Sequence, residues 1–399
     1  MKKAAILGMG VSGKSALHFL QKRGISTLSI DNKVKEVGIV KEEEVSTLAG
    51  YDCLILSPGI SFSHPLVKMA KTEGVEVIGE IELAARFLKS YGIGVTGTNG
   101  KTTVTLLITQ ALNDAGMKAY ALGNAGTALS SCVDSLKSTD IAVMELSSYQ
   151  LEALHAPCLD AAIILNITPD HLDRYATIEE YALAKRRIAR CLKPGKPLFA
   201  DPAIHLPEAI PYENPQVHFS NVLGIDAKNA HAAFSICQLF GVSKESFDQT
   251  LKQFSKPPHR LDLFATHRSI AFFDDSKATN IDAVVQAVET ISQPIHLIAG
   301  GVDKKTGYGM WKEVFMGKVK SLHLIGQAST LIANELEGIV PIFQWSTLKE
   351  ATEAAISHAT QGDAVVLSPG CASFDMFTDY SHRGREFKKI VSCCIKARL

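Results

Sequence analysis

Short apolar runs alternate with glycine turns and amphipathic stretches along the whole chain. Ala4-Ala5-Ile6-Leu7 leads into Gly8-Met9-Gly10-Val11-Ser12-Gly13 and then the helical pattern Lys14–Leu20. Further strand-like runs are Cys53–Leu56, Val75–Ile78, Ile93–Thr96, Ile141–Met144, Ala161–Ile167, Ile295–Ala299, Leu322–Ile325 and Ala364–Leu367. Helical spacing of apolar positions marks Ile81–Leu88, Val104–Leu112, Glu179–Leu192 and Ile281–Val288 between them. Strand, turn and helix in repetition predict an α/β chain with parallel sheets. The exception is a pair of short strands around Arg268-Ser269.

Two interruptions divide the pattern into three blocks. Gly92-Ile93-Gly94-Val95 opens a new strand after the first helix-rich stretch, and Pro257-Pro258 forbids helix continuation. The expected domains are 1–82, 83–256 and 257–399, the first and last Rossmann-like and the central one a parallel sheet of the P-loop ATPase type.

Composition narrows the function. With 399 residues, 46% hydrophobic and 21% charged, the chain is an ordinary globular protein of about two or three domains. Lys+Arg and Asp+Glu both number 41, so the basic excess of a nucleic-acid or anionic-membrane binder is missing. The eight cysteines include no C-x-x-C pair, which fits reduced thiols and neither a zinc site nor a disulfide framework. No apolar run approaches the ~18 residues of a membrane span, and Gly8-Met9-Gly10 breaks the apolar run behind Met1-Lys2-Lys3 too early for a signal peptide. The expectation is a cytoplasmic monomer acting on small molecules, without nucleic-acid or membrane partners.

Two glycine loops carry the chemistry. Gly8–Gly13 follows a strand and opens a helix, with Asp31 where a ribose-binding acid would sit in a dinucleotide fold. Alone it supports a nicotinamide-dependent dehydrogenase as well as any other nucleotide protein. The second loop, Gly97-Thr98-Asn99-Gly100-Lys101-Thr102-Thr103, is more telling: its amides can cradle phosphate, Lys101 can neutralise β/γ charge, and the Thr102 hydroxyl suits Mg²⁺. A hydride-transfer enzyme has no need of such a loop. Glu145 ends the strand at 141, and His171 and Asp173 follow the one at 161, so they qualify as ligands for Mg²⁺ or Mn²⁺. Each also has a plain reading, as a helix-capping acid or a loop histidine. Lys185 shares its helical face with Tyr181, Ile188, Ala189 and Leu192, whereas Arg186 and Arg187 point away. A lysine so placed either snorkels or is desolvated, with a lowered pKa and an amine able to take up CO₂ as a carbamate. Arg260 and Lys277 are candidate phosphate clamps in the third block, and Asn280 can cap the helix behind Asp274–Thr279.

Gly97–Thr103, Glu145-Leu-Ser-Ser-Tyr-Gln-Leu151, Asp275–Asn280 and Ser368–Phe377 together resemble the Mur ligase family, ATP-dependent amide-forming enzymes of peptidoglycan precursor synthesis. The resemblance spans essentially the whole chain and, through Asp275–Asn280, is to the members that add D-glutamate. It implies that UDP-N-acetylmuramoyl-L-alanine is held by Val11, Ser12, Asp31, Asn32, Lys33, Gly59, Asn124, Ser147 and Gln150. It implies ATP on Gly97, Thr98, Asn99, Gly100, Lys101, Thr102, Thr103, Asn229, Arg260, Asp275 and Lys277. Two Mg²⁺ ions, or Mn²⁺ in their place, would lie on Thr102, Glu145, His171 and carbamylated Lys185. D-Glutamate would fall to Thr279, Lys304, Ser373 and Tyr380, with Lys101, His171, Lys185 and Arg260 catalytic. The chain departs from the family pattern at Tyr380, where that pattern has Phe, and by one residue fewer in Ala176–Glu180. Rival readings are a folylpolyglutamate synthase, a sister ligase for another amino acid, or a nucleotide-binding regulator without turnover.

Overall fold

The computed structural model describes residues 1–219, 222 and 225–397. It holds three sheets. The first is fully parallel, in the order Ile39–Val40, Ser26–Ile30, Lys3–Leu7, Cys53–Leu56, Glu76–Gly79. The second is also parallel: Ile210–Pro211, Leu198–Ala200, Ala161–Ile164, Tyr91–Thr96, Ile141–Glu145, Ala119–Gly123. The third runs Asp262–His267, Ile270–Asp274, Ala364–Leu367, Ile295–Gly300, Val319–Ile325, Ile342–Gln344, and only the first of these strands is antiparallel to its neighbour. The hairpin expected at Arg268-Ser269 makes that exception, with both residues at positive φ, 50° and 59°. A two-residue turn with both φ positive matches the twist of the strands it joins.

By contact the chain divides into two compact units. Met1–Ile167 and Ala182–Phe254 form one, so the first two sheets belong together, and Thr168–Tyr181 joins the unit that begins again at Ser255. The segment 168–181, expected with the central block, therefore packs with the C-terminal one.

In the first unit, glycines inside the central strand at 91–96 mark close approaches. A Cβ at Gly92 would come within 2.3 Å of the Cys158 carbonyl oxygen, and one at Gly94 within 2.7 Å of Leu159 and 3.0 Å of Ile188. The helical stretch expected over 179–192 is α-helical over Ile178–Arg186 and then tightens to a 3-10 turn over Arg187–Cys191. It still presents the two faces read from its spacing: Lys185 is 1% exposed and Ile188 fully buried, whereas Arg186 is exposed.

The first two sheets are tied by the helix Glu80–Ala85, whose six residues are all buried. Glu82 accepts from the backbone N–H groups of His155 and Ala156 at 2.7 and 2.8 Å and from Arg86 Nε at 2.9 Å. Arg23, with its guanidinium 3.6 Å from the Phe19 ring centre and 4.6 Å from that of Phe87, reaches Asp134 across the same boundary. Among the described residues no helix is long and apolar enough to cross a membrane. Among the described residues no two cysteines are joined in a disulfide.

Removing the Glu82 carboxylate leaves two partly buried N–H donors and the Arg86 guanidinium without this acceptor. Glu82→Ala should lower unfolding stability by about 2–4 kcal/mol. Glu36→Ala, which breaks an exposed ion pair with Lys14, should change it by less than about 0.5 kcal/mol. Urea unfolding of both variants checks the contrast.

Candidate functional site

Three clusters of the expected residues can be described, each at the carboxyl ends of neighbouring strands, where α/β sheets bind ligands. The first surrounds Gly8–Gly13. A Cβ on Gly13 would lie 1.9 Å from the Gly8 carbonyl oxygen, so the third glycine lets helix and strand close together. Asp31 is fully used by the loop: one oxygen accepts from Met9 N at 2.7 Å, the other from Lys33 N at 2.7 Å and Val34 N at 3.0 Å. Burial raises its pKa, but these three N–H groups bring the carboxyl below its ordinary value. Val11, Ser12, Asp31, Asn32, Lys33 and Gly59 thus follow three adjacent strands of one sheet.

The second cluster is the loop Gly97–Thr103, which leaves the central strand at Thr96 and enters the helix Lys101–Asp114. Gly97 and Gly100 have φ of 153° and 82°. A Cβ at Gly100 would lie 2.5 Å from Asn229 Oδ1, which places that expected ATP ligand against the loop. Lys101 Nζ donates to the carbonyls of Gly97 and Thr98 at 2.9 and 2.8 Å. Lys185 Nζ donates to the same Gly97 oxygen at 2.7 Å. Glu145 pairs in register with Val95, 2% exposed, at the level where the loop begins. Its Oε1 accepts from Asn124 Nδ2 at 2.9 Å, and its buried Oε2 has no hydrogen-bond partner among the described residues. That orphaned oxygen fits a cation, and Thr102 stands in the first turn of the helix that the adjacent strand leads into. Among the described residues no three His, Cys, Asp or Glu side chains are grouped to hold a metal, and the expected set contains only two, Glu145 and His171. Ser147 and Gln150, expected at the sugar, form a reciprocal cap of the helix Ser148–Glu152.

The third cluster lies in the second unit. Asp275 is buried between Leu261 N at 3.0 Å and Ser368 Oγ at 2.7 Å, and burial pushes its carboxyl up to about 7. It thereby fixes the turn carrying Arg260. His259, at φ 65°, bonds Asp274 at 2.6 Å and accepts Lys277 N on its carbonyl. The Lys277 ammonium lies 4.3 Å from the centre of the Tyr380 ring, so a cation–π contact joins an expected ATP residue to an expected amino-acid residue. Asn280 caps its helix through Ala283 N at 2.9 Å, as its position suggests. Thr279 is half-buried and Ser373 buried on the loops that follow adjacent strands. His171, at φ 56°, lies in this unit with Lys304.

Three residues of the site escape sequence reading. Asn166 grips the nucleotide loop by accepting Asn99 N at 2.8 Å and Thr98 N on its carbonyl at 2.9 Å. Asp170 accepts from Lys304 Nζ at 2.9 Å and from His171 N at 2.8 Å. Burial raises its pKa, but the Lys304 and His171 charges and these bonds bring it below the ordinary value. Arg383, 1% exposed, donates to Ser276 Oγ and O at 3.0 and 2.9 Å and to Cys371 O at 3.2 Å, joining the loops that carry Lys277 and Ser373. A polar residue just past an apolar strand was the signal available for Asn166 and Asp170. Arg383 offered none.

Family models match in chain order: Mur ligase MurD-like, N-terminal domain at 2–79, Mur ligase middle domain at 95–254, and Mur ligase, glutamate ligase domain at 259–371. The chain belongs to the Mur ligase family. Among relatives, the UDP-N-acetylmuramoylalanine–D-glutamate ligase of Protochlamydia amoebophila is 44% identical over 98% of both chains. That of Koribacter versatilis is 33% identical over 98% of this chain and 97% of its own. Solved structures share the fold. MurF ligase from Thermotoga maritima, in complex with ADP, has a TM-score of 0.62 at 14% identity, covering 100% of this chain and 96% of that one. UDP-N-acetylmuramate-alanine ligase from the same organism has 0.61 at 17%, covering 99% and 100%. A bifunctional folylpolyglutamate synthase/dihydrofolate synthase from Yersinia pestis has 0.55 at 16%, covering 74% and 90%.

The raised Asp275 carboxyl has a signed consequence. The native state holds this proton more tightly than the unfolded chain, so its stabilising contribution is full below pH about 4 and is lost as pH rises through about 7. Asp275→Asn should flatten the decline in melting temperature between those values relative to wild type, measured by thermal unfolding of both proteins across the range. Asn166→Ala should raise the KM for ATP by about tenfold, because the loop loses its bracing hydrogen bonds, in steady-state kinetics.

Proposed function

We propose that this chain adds D-glutamate to UDP-N-acetylmuramoyl-L-alanine in an ATP-dependent, cytoplasmic step of peptidoglycan precursor synthesis, working as a monomer. The observation that most supports this is the loop Gly97–Thr103, where the Lys101 and Lys185 side chains both donate to the Gly97 carbonyl, next to a strand that ends in Glu145 with one oxygen lacking a hydrogen-bond partner among the described residues. Such a site attracts polyphosphate and a divalent cation together.

In this reading Gly97–Thr103 and Asn229 hold ATP, with Lys101, Arg260 and Lys277 offsetting charge on the transferred oxygens. The alanyl carboxylate attacks the γ-phosphorus, the bond to the bridging oxygen breaks, and ADP leaves behind an acyl phosphate. The D-glutamate amine, positioned by Thr279, Lys304, Ser373 and Tyr380, attacks the acyl carbon, loses a proton and expels phosphate. The uridine end is held by Val11, Ser12, Asp31, Asn32, Lys33 and Gly59, and the sugar by Asn124, Ser147 and Gln150. Thr102, Glu145 and His171, with Lys185 as its carbamate, would hold two Mg²⁺ ions, which supply charge neutralisation at the phosphates when bound. Uptake of CO₂ by Lys185 replaces a buried cation with an anionic oxygen ligand, which suits its 1% exposure.

ADP release with UDP-N-acetylmuramoyl-L-alanine should require D-glutamate and fail with L-glutamate, L-lysine or glycine. Release that is equal with all of them, or with a folate substrate, would overturn the assignment. Lys185→Ala should lose about a hundredfold or more in kcat and recover part of it with added short-chain carboxylic acids. Full activity without them would exclude the carbamate.

A further inference from the structure

The second unit buries a row of polar side chains that the candidate site does not use. His323 is fully buried, and His296, Ser321 and Asp363 are at most 3% exposed. Trp345 Nε1 lies 3.2 Å from His323 Nδ1, and His323 Nε2 lies 2.9 Å from Ser321 Oγ. Ser321 Oγ is 2.7 Å from His296 Nδ1, and His296 Nε2 is 3.2 Å from Asp363 Oδ2. The row therefore crosses four neighbouring strands: Trp345 follows Ile342–Gln344, Ser321 and His323 lie in Val319–Ile325, His296 lies in Ile295–Gly300, and Asp363 precedes Ala364–Leu367.

Its two ends give the row one direction. An indole N–H only donates, so His323 Nδ1 carries the lone pair and Nε2 the proton. Ser321 then receives from His323 and gives its own proton to His296 Nδ1, and the His296 Nε2–H ends on Asp363. That carboxylate only accepts. Burial raises its pKa, but Lys320 Nζ at 2.7 Å, the Thr360 N–H and hydroxyl at 2.9 and 2.8 Å, and His296 bring it far below its ordinary value.

Neither ring can take a second proton without breaking the row. A proton on His323 Nδ1 would face the Trp345 N–H. A proton on His296 Nδ1 would make Ser321 accept from both rings and leave its own hydroxyl without a partner in the row. Turning that hydroxyl to His323 only moves the clash to Trp345. Buried donors left unmet in this way are costly. The other titratable groups acting on the pair are Lys320, beside Ser321, and His358, at the end of the helix Leu348–His358, with its ring centre 5.2 Å from that of His323. Both oppose added positive charge, and Asp363 favours it only at His296. Burial lowers both histidines, His323 to about 3.

We propose that this row is an acid-sensitive lock on the second unit: it holds His296 and His323 as neutral Nε2–H tautomers and ties the edge strand Ile342–Gln344 to the strands beside it, and a proton taken up from water by His323 Nδ1 opens the link to Trp345. The lock is independent of the ligase reading and would stand if that reading fell. The unfolded chain binds these protons more tightly than the native one. The stabilising contribution is therefore full above pH about 6.5 and is lost as pH falls below it towards 3.

The test follows the histidine rings of the ¹⁵N-labelled full-length protein by long-range ¹H–¹⁵N spectra between pH 7.5 and 5. Two rings, assigned by their loss in His296→Gln and His323→Gln, should show Nε2–H with a bare Nδ1 and stay neutral over that range. Urea unfolding read by tryptophan fluorescence reports on this unit, because both tryptophans, Trp311 and Trp345, belong to it. Between pH 5.5 and 4 the unfolding constant of wild type should rise about tenfold more per pH unit than that of His323→Gln, which has one proton fewer to take up. Trp345→Phe removes the donor that opposes a charge on His323, so it should lose part of this acid dependence. A residue that only packs would shift stability equally at every pH. An Nδ1–H tautomer on His323, or a charge on either ring above pH 6, would overturn the proposal from wild type alone. So would an acid dependence in folded Trp345→Phe equal to that of wild type.

Discussion

Two ammonium groups within hydrogen-bond reach of one carbonyl oxygen set the terms for the first unit. Lys101 and Lys185, 84 positions apart in sequence and on different helices, both donate to Gly97 O. Two like charges that close repel by several kcal/mol at protein-like dielectric unless one is neutralised or an anion joins them. The loop between the strand and the helix at Lys101 therefore gathers two basic side chains on one carbonyl oxygen. The backbone supports this: Gly97 and Gly100 turn through positive φ, Asn166 staples the turn, and Asn229 closes against Gly100 where no side chain could stand. Glu145, with one oxygen engaged by Asn124 and the other unmet, supplies the place for a cation beside that anion.

In the second unit the cations expected at the substrates are each held or fixed by a neighbouring side chain. Asp170 holds Lys304, the Tyr380 ring holds Lys277, and Asp275 fixes the turn bearing Arg260. Arg383, buried among neutral carbonyl and hydroxyl oxygens, has its pKa lowered by burial to about 10 and locks two of these loops to the C-terminal helix. Preorganisation of this kind costs stability at the site and recovers it in binding, where less side-chain freedom remains to be lost.

Much of this could be read in the sequence, and the pattern of success has a physical reason. Strands such as Ile93–Thr96 and Cys53–Leu56 are buried on both faces and so declare themselves as apolar runs. The glycines of both loops were legible because each answers a local steric demand, most clearly Gly13 against Gly8 and Gly100 against Asn229. Lys185 was legible because helical spacing places it among apolar neighbours. What stayed hidden depends on partners far along the chain. Asn166 meets a loop 67 residues away, Arg383 a loop 107 away, and Glu82 a turn 73 away. The membership of 168–181 in the second unit was invisible for the same reason, since no local pattern marks a segment that leaves its own sheet. Ser147 and Gln150 show the converse: a capping box explains their spacing fully, so the same residues carry a local role as well as the one expected at the sugar.

The helix Glu80–Ala85 has one more implication. By anchoring the turn at 155–156 to the helix that follows the first sheet, it ties the sheet behind the loop Gly8–Gly13 to the sheet behind the loop Gly97–Thr103 within one compact unit, so the span between the two loops is fixed by contacts far from either of them.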